Sequence, residues 1–259
     1  MIVPVKGAPA VLLRLGEERT LVVADLHLGI ESGLVAEGIS LPSQTPRIRE
    51  RLIELISNAT PSRLIILGDV KHNVPISSWQ EWRELPALFE ELSGLVRVEV
   101  VKGNHDGGLE GMLPRGVSVH GPRGIVIGKR RKVGLVHGHT WPSPEVMRSD
   151  IIIAGHNHPA VEFRDELGGR IVAPVWLRCR INSEKLPPSL KKAAGKAPPR
   201  MIVLPAFGEL VGGAPVNREI PQELIGPMFR TGAVAIDEAD AYMIDGTFLG
   251  KVKNINRGI

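Results

Sequence analysis

The sequence contains a single cysteine, Cys179, and this scarcity excludes several kinds of site. One cysteine cannot form an intramolecular disulfide, and it cannot supply the several thiolates of a structural zinc site. A chain without disulfides suits a reducing compartment, so we expect a cytoplasmic location. Any metal site in this protein must therefore depend on nitrogen and oxygen ligands.

Long apolar runs are also lacking. No stretch reaches the roughly 18 consecutive apolar residues that a membrane-spanning helix needs. The opening MIVPVKGAPAVLLRL has no charged segment followed by a long apolar core, which a secretory signal would have. We therefore expect no association with a membrane.

The bulk composition is that of an ordinary globular protein, with 259 residues of which 43% are hydrophobic. This length fits one domain spanning residues 1–259. The net charge of +4 and the pI near 9.4 are compatible with an anionic substrate or with nucleic acid. Many proteins without such partners are equally basic, so charge alone does not choose between these classes.

Short β-rich runs alternate with helical patterns, which is typical of an α/β fold. Apolar residues at helical spacing predict a helix over residues 44–57, and Ser78 with Glu81 forms a capping box that predicts another. Trp79 and Trp82 follow at helical spacing, which favours core positions over a base-stacking surface. The predicted strands are Val11–Leu15, Thr20–Ala24, Leu64–Leu67, Val96–Val101, Gly124–Ile127, Val133–Val136 and Ile151–Ala154.

The second half contains a segment of different character. Residues 183–200 are rich in Pro, Lys and Ala, which predicts an exposed basic loop. Its lysines are more typical of a solvated surface than of a nucleic-acid contact. Beyond it, β-like pieces at Gly232–Ile236, Ala241–Ile244 and Thr247–Leu249 are expected to complete a second sheet.

Seven of the eight histidines lie in short segments that directly follow an apolar run; only His120 stands apart. Carboxylate and amide residues share these segments. In α/β sheets the carboxyl ends of strands converge on one crevice, where ligands bind. The sequence therefore predicts one polar site assembled from loops that span more than 130 positions.

The candidate metal ligands in these loops are seven: Asp25, His27, Asp69, Asn104, His137, His156 and His158. Seven ligands are too many for one tetrahedral zinc ion with an open position. They suit two ions about 3.5–4 Å apart, each with room for water or substrate. Mixed nitrogen and oxygen ligation without thiolate favours manganese, iron or zinc over calcium.

The order of these segments resembles the calcineurin-like metallophosphoesterase superfamily, whose motifs run DxH, GD, GNH followed by an acidic residue, HG and GHxH. The corresponding segments are Asp25-Leu26-His27, Gly68-Asp69, Gly103-Asn104-His105-Asp106, His137-Gly138 and Gly155-His156-Asn157-His158. The resemblance covers about residues 20–160, and five motifs in one order are far more specific than any one alone. It implies an α/β fold: a four-layer αββα sandwich with two mixed sheets.

Within the superfamily the chain looks most similar to the SbcD-type nucleases and the DNA ligase-associated metallophosphoesterases. The residues on which this resemblance depends are Leu28-Gly29, Val70-Lys71-His72, Leu204-Pro205-Ala206-Phe207-Gly208 and Gly212-Gly213. The Asp-Arg pair of the phosphoprotein phosphatases is absent after Asp69, which argues against that branch.

The resemblance also implies roles for individual residues. One ion would be held by Asp25, His27, Asp69 and His158, and the other by Asp69, Asn104, His137 and His156. His105 matches the active-site histidine that is not a ligand. Asp106 either orients His105 by a hydrogen bond or lies outside the ligand shell. His72 either contacts the substrate phosphate or belongs to a surface loop, and His139 is expected beside the ligands.

These roles predict a phosphodiester-hydrolysing enzyme with two divalent metal ions, most consistent with Mn²⁺, and with iron, zinc or nickel as alternatives. The branch resemblance favours a nucleic acid or nucleotide substrate and a role in DNA repair with a helicase or ligase partner. The alternatives are a small-molecule or cyclic-nucleotide phosphodiesterase and a non-catalytic scaffold. Retention of Asp25, His27, Asn104 and His105 argues against the scaffold.

Overall fold

The computed structural model describes residues 1–36, 38–165, 167–218 and 226–255, which form two mixed β-sheets with helices against them. The described helices are α1 (Ile30–Ala36), α2 (Thr45–Ala59), α3 (Trp79–Leu95), α4 (Pro144–Met147), α5 (Pro188–Ala194) and α6 (Pro227–Arg230).

The first sheet has six described strands, arranged in the order in which they occur along the chain. They are β1 (Ile2–Pro4), β2 (Ala10–Leu15), β3 (Glu18–Ala24), β4 (Arg63–Leu67), β5 (Arg97–Val101) and β6 (Ser118–His120). The β2–β3 hairpin is closed by Gly16 and Glu17, with Leu15 paired to Glu18. From β3 to β6 the strands are parallel, so their carboxyl ends share one edge of the sheet.

The second sheet has nine described strands. They are β7 (Ile125–Ile127), β8 (Val133–Val136), β9 (Ile151–Ala154), β10 (Pro159–Arg164), β11 (Arg170–Arg180), β12 (Arg200–Val203), β13 (Ala214–Pro215), β14 (Asp240–Met243) and β15 (Phe248–Lys251). Strands β8, β9 and β12 are parallel neighbours. Gly232–Ile236, predicted as a strand, contributes only an isolated bridge through Val234, because the chain turns sharply after α6.

Three apolar clusters define four layers. Alternate residues of a strand face opposite sides of its sheet, so Leu21 and Val23 of β3 pack under α2 and α3, while Val22 and Ala24 pack against the second sheet. The far side of the second sheet packs under α4, α5 and α6. The four-layer αββα sandwich with two mixed sheets, predicted from the sequence, is confirmed.

Helix α3 begins at the predicted capping box, and it continues through Pro86 to Leu95. The prediction that Trp79 and Trp82 are core residues was wrong, since their exposed fractions are 74% and 51%. The buried stripe of α3 runs through Leu85, Leu88, Phe89 and Leu92, and both tryptophans fall to one side of it.

Residues 183–200 are not the predicted loop. They contain a 3₁₀ turn at Ser183–Lys185 and helix α5. Leu190 and Ala194 are buried on the outer face of the second sheet, and this burial gives the segment a fixed structure. Its basic character is retained on the surface, where Lys191, Lys192, Lys196 and Arg200 are exposed. Among the described residues, no helix has the length and apolar character needed to cross a bilayer.

Candidate metal centre

The predicted site residues follow the carboxyl ends of five strands. Asp25 follows β3, Asp69 follows β4, and the segment 103–106 follows β5. In the second sheet His137 follows β8, and the segment 155–158 follows β9. Because the two sheets pack face to face through one shared core, these five strand ends meet at one edge of the sandwich.

The backbone at this edge is unusual. Six described non-glycine residues have positive φ angles, and Thr60, which caps α2, is one of them. The other five are all predicted ligands: Asp25 (58°), His27 (47°), Asp69 (45°), His156 (67°) and His158 (39°). Such angles are disfavoured for residues with a Cβ atom and persist where surrounding structure imposes them, often at functional sites.

The predicted ligands gather in two groups that share one residue, and a third candidate group, of His27, His72 and His105, shares His27 with the first. The first group is Asp25, His27, Asp69 and His158, and the second is Asp69, His137 and His156; within each group the candidate donor atoms lie within 4.8 Å of one another. The Nε2 atom of His27 lies 3.5 Å from Oδ2 of Asp69. Nε2 of His137 lies 3.4 Å from the same oxygen, so Asp69 stands between the two groups.

These residues fit divalent cations. Nε2 of His27 and Nε2 of His158 are buried and make no hydrogen bond of ordinary geometry, although Asp69 and Asp25 oxygens lie 3.5 and 3.2 Å away. Buried polar atoms are seldom left without a partner in folded proteins. Two such imidazole nitrogens facing buried carboxylates form a donor set of the kind that first-row metal ions prefer.

The carboxylates at the centre are ionised at neutral pH. Burial acts to raise the pKa of Asp25, but the charge of His158 and the hydrogen bond and charge of His137 outweigh burial and lower it well below its usual range. The pKa of Asp69 is likewise lowered against the effect of burial, chiefly by His137.

His137 is the counterpart of these two acids. Burial acts to lower the pKa of His137, yet its contacts with Asp25 and Asp69 raise it to about 10. Its Nε2 atom lies 2.9 Å from Oδ1 of Asp25, and both side chains are fully buried. A buried imidazolium therefore balances two buried carboxylates, which is the electrostatic task that metal cations would take over.

Three further histidines, His27, His139 and His156, are held neutral. Burial lowers the pKa of His27 and of His156 to about 3, and that of His139 to about 4. A neutral imidazole has a lone pair to offer, whereas an imidazolium has none. These histidines are therefore in the protonation state that metal ligation requires.

Two of the predicted ligands, His27 and His137, contact a second histidine through the ring nitrogen Nδ1. Nδ1 of His27 lies 3.1 Å from Nδ1 of His72, and Nδ1 of His137 lies 2.9 Å from Nδ1 of His139. His72 is half-buried in the loop after β4, and its role stays a prediction. Both outer histidines contact ligand imidazoles on the side facing away from the carboxylates.

His105 lies against the same carboxylate that joins the two groups. Its backbone N–H donates to Oδ1 of Asp69 at 2.9 Å, and its ring Nε2 is 4.0 Å from Oδ2 of that residue. Its Nδ1 atom contacts the backbone carbonyl of His72, which can only accept, so Nδ1 carries a proton. Nε2 is therefore the ring atom that faces the site.

Asp106 does not play the predicted role of orienting the His105 ring. Its buried carboxylate accepts the backbone N–H groups of Val70 at 2.8 Å and of Gly103 at 2.8 Å. These bonds join the loops after β4 and β5. The orienting contact of His105 comes from the carbonyl of His72 instead, because the Asp106 side chain points under the loop.

Asn104 is the only predicted ligand whose side chain is exposed in the described structure. It lies between Gly103 and His105, both of which pack on Asp69. The backbone of Asn104 therefore lies next to Asp69, and its ligand role stays a prediction.

Sequence reasoning missed Glu81 as a residue of this site. The predicted capping box is present, since Oε2 of Glu81 accepts the N–H of Ser78. Its other oxygen, Oε1, accepts the N–H groups of His72 at 2.9 Å and Asn73 at 2.8 Å. Glu81 therefore fastens the His72 loop to the start of α3; the capping box was visible in the sequence, but this second contact was not.

Comparison with known proteins agrees with this geometry. Residues 18–182 match the family described as Calcineurin-like phosphoesterase. A relative, "Phosphodiesterase YfcE" of Escherichia coli (strain K12), is 29% identical over 123 residues, covering 46% of this chain and 66% of that protein, just under two thirds of its length.

Among solved structures, the crystal structure of Pseudomonas putida nuclease MPE is similar with a TM-score of 0.52 and 20% identity. The match covers 95% of this chain and 98% of that one, and it supports the likeness of fold. The family match spans more than half of the chain and includes the five superfamily motifs between Asp25 and His158. The chain therefore belongs to the family described as Calcineurin-like phosphoesterase, whose motifs the sequence displays.

Proposed function

We propose that this protein is a dinuclear metal-dependent phosphodiesterase whose substrate is a nucleic acid or a nucleotide. The observation that carries the proposal is the position of Asp69, which belongs to both groups of ligand atoms. A carboxylate has two oxygens, and one placed between two donor sets is suited to bridge two cations.

The proposed ligand sets are those implied by the motifs. Asp25, His27, Asp69 and His158 would hold one ion, and Asp69, Asn104, His137 and His156 would hold the other. When bound, two divalent ions supply Lewis acidity toward phosphoryl oxygens and lower the pKa of water toward neutrality. We propose Mn²⁺ because the donors are nitrogen and oxygen without thiolate.

The protein's own contribution to bond cleavage centres on His105. The departing ester oxygen needs a proton, and Nε2 of His105 is the ring atom that faces the site. Its Nδ1 proton is held by the carbonyl of His72, which fixes the plane of the ring. General acids of this kind commonly contribute about 10²–10⁴-fold in rate.

The choice of phosphodiesters is supported by the names of two similar proteins, one called a phosphodiesterase and the other a nuclease. If the protein belongs to the branch of SbcD-type and ligase-associated enzymes, it would also act in DNA repair with a helicase or a ligase as its partner. That role is part of this proposal and rests on the sequence resemblance.

The test is an activity panel on the purified protein with Mn²⁺, Fe²⁺, Zn²⁺, Ni²⁺ and Mg²⁺. The substrates are bis-p-nitrophenyl phosphate, p-nitrophenyl phosphate, cyclic nucleotides, and single- and double-stranded DNA and RNA. We expect Mn²⁺-dependent cleavage of the diester and of nucleic acid. Hydrolysis of cyclic nucleotides with no action on DNA or RNA would replace the nucleic-acid substrate by a small molecule. Inactivity on every ester would favour the scaffold.

Metal content tests the dinuclear part separately. The wild-type protein should bind close to two equivalents of Mn²⁺, and Asp69→Asn should bind less metal and lose activity. Asp245→Asn is the matched control, because Asp245 lies in the β14–β15 turn and its carboxylate accepts the local N–H of Thr247. Saturation of the wild type at one equivalent would overturn the dinuclear model.

A further inference from the structure

A cavity of about 460 Å³ opens directly beside the candidate metal centre, because His158 forms part of its wall. We call it the His158 cavity. Its volume falls within the range of about 300–1,000 Å³ that is usual for pockets that bind small organic ligands. A larger cavity of about 720 Å³ lies at the other end of the strands, beside Gly16 of the hairpin and Arg63 at the start of β4. It includes none of the predicted ligands, so the smaller cavity is the one connected to the site.

The wall of the His158 cavity is fixed to the strand that carries Asp25. The N–H of Phe207 donates to the carbonyl of Ala24 at 2.9 Å, and the N–H of Gly208 donates to that of Asp25 at 3.0 Å. A Cβ atom on Gly208 would lie 2.4 Å from the carbonyl oxygen of Leu26, so only glycine permits this close approach. The loop after β12 therefore forms a preformed wall that cannot move independently of the metal ligands.

The interior of the cavity has two chemical characters. Pro159, Val172 and Pro174 supply an apolar surface. Arg51 supplies a cation, with its guanidinium carbon 4.4 Å from the centre of the Phe207 ring and its Nη1 atom donating to the Phe207 carbonyl. Nη1 also lies 3.1 Å from Oε1 of Glu209. A guanidinium has five N–H donors, more than these two acceptors occupy, so Arg51 can still bind an acceptor on a ligand.

We propose that the His158 cavity binds one nucleoside of the phosphodiester substrate, with the base on the apolar wall and an acceptor oxygen of the nucleoside on Arg51. This inference rests on the proposed function and names which part of the substrate is recognised, and where. A phosphate at the metal centre lies next to His158, so one of its ester groups enters the cavity. An apolar surface with one guanidinium, paired to the Glu209 carboxylate that also lines the cavity, suits a flat base that carries carbonyl oxygens.

The kinetic test compares two esters that release the same p-nitrophenolate. Thymidine 5′-phosphate p-nitrophenyl ester carries a nucleoside, whereas methyl p-nitrophenyl phosphate carries only a methyl group. Val172→Trp should fill the cavity. We expect it to raise KM for the thymidine ester at least tenfold and to leave kcat/KM for the methyl ester within about twofold. Arg51→Met should raise KM for the thymidine ester by a smaller factor, because it removes one charge-assisted hydrogen bond to the nucleoside.

Ile171→Trp is the matched control. Ile171 is the neighbour of Val172 on β11 and is 68% exposed, and it does not contribute to the cavity wall. Since alternate residues of a strand face opposite sides, the same bulk is added outside the cavity. KM and kcat/KM of this variant for both esters should equal those of the wild type. Thermal unfolding of all three variants checks that each is folded.

Equilibrium binding tests the cavity without turnover. Titration calorimetry on the Mn²⁺-treated protein should show that thymidine 5′-monophosphate binds more tightly than methyl phosphate, and that Val172→Trp removes this difference. Equal binding of the two phosphates by the wild type, or an unchanged difference in Val172→Trp, would overturn the nucleoside site. If either of these binding results is found and the wild type still hydrolyses the methyl ester, the nucleoside site is wrong but the proposed phosphodiesterase function is retained. If it hydrolyses no diester but still prefers thymidine 5′-monophosphate, the function fails and the binding site remains.

Discussion

The ring nitrogens Nδ1 of His27 and Nδ1 of His72 lie 3.1 Å apart, on the side of His27 that faces away from Asp69. If Nε2 of His27 gives its lone pair to a metal ion, Nδ1 must carry the ring proton, and His72 must accept it. Metal-bound histidines commonly make such a second hydrogen bond, which fixes the tautomer and orientation of the ring. We therefore expect His72 to position a metal ligand, whereas the sequence suggested a contact with the substrate phosphate.

Replacement of His72 by Ala should weaken metal binding about 10–100-fold, the usual effect of losing a partner of this kind. Calorimetric titration with Mn²⁺ measures the change directly, and it requires no turnover. His72→Asn retains an acceptor oxygen and should restore part of the affinity. A variant with wild-type Mn²⁺ affinity but a raised KM would instead indicate that His72 contacts the substrate phosphate.

Replacement of His105 by Ala should lower turnover by about 10²–10⁴-fold while leaving Mn²⁺ content nearly unchanged, because His105 is not among the proposed ligands. The loss should be smaller for p-nitrophenyl esters than for alkyl esters, since a good leaving group needs less protonation. Parallel measurement of kcat on both kinds of ester checks this. An equal loss on both would assign His105 a role other than proton donation.

Acid should weaken the fold through Glu99, a buried carboxylate of β5 that pairs with Arg63, Arg97 and His120. Burial acts to raise its pKa, but His120 and the arginines outweigh burial, so the pKa lies below the usual value of 4.5. A lowered folded-state pKa stabilises the protein above the unfolded value, and this stabilisation is lost as pH falls through the folded value.

Glu99→Gln should therefore lower the free energy of unfolding by about 2 kcal/mol at pH 7. The difference from the wild type should shrink below pH 4.5, as urea unfolding at several pH values can show. Glu18→Gln is the control, because Glu18 also pairs with Arg63 but is 44% exposed. It should cost less than about 1 kcal/mol. A pH-independent difference between Glu99→Gln and the wild type would contradict this account.

Local patterns in the sequence were sufficient to predict most of the fold and which strand ends come together. Strands such as β4 are continuous apolar runs because both of their faces are buried, and this pattern is visible residue by residue. Asp25, Asp69 and His137 were placed together because each follows such a strand. The prediction of a loop at 183–200 was wrong for a physical reason. The helix there is stabilised when Leu190 and Ala194 pack on strands of the second sheet that are distant in sequence.

Contacts within the site were less predictable. That Asp106 binds backbone N–H groups of two loops depends on the distance between the ends of β4 and β5, which no local pattern contains. The same holds for Glu81 and for the approach of Arg51 to Phe207 across 156 positions. Residue type and spacing predict which side chains meet, whereas the direction of each hydrogen bond requires the packed structure.

Gly103 is in the motif because no side chain fits there. A Cβ atom at this position would lie 2.1 Å from Oδ1 of Asp69 and 2.4 Å from its backbone nitrogen. Gly103→Ala should therefore displace Asp69, lower Mn²⁺ binding and activity by at least about tenfold, and cost about 1–3 kcal/mol of stability. Gly107→Ala is the control in the same loop, since a Cβ atom there meets no atom within 4 Å. Metal titration and thermal unfolding of both variants decide the matter: if Gly103→Ala bound two equivalents of Mn²⁺ with wild-type affinity, Asp69 could not be the bridging ligand.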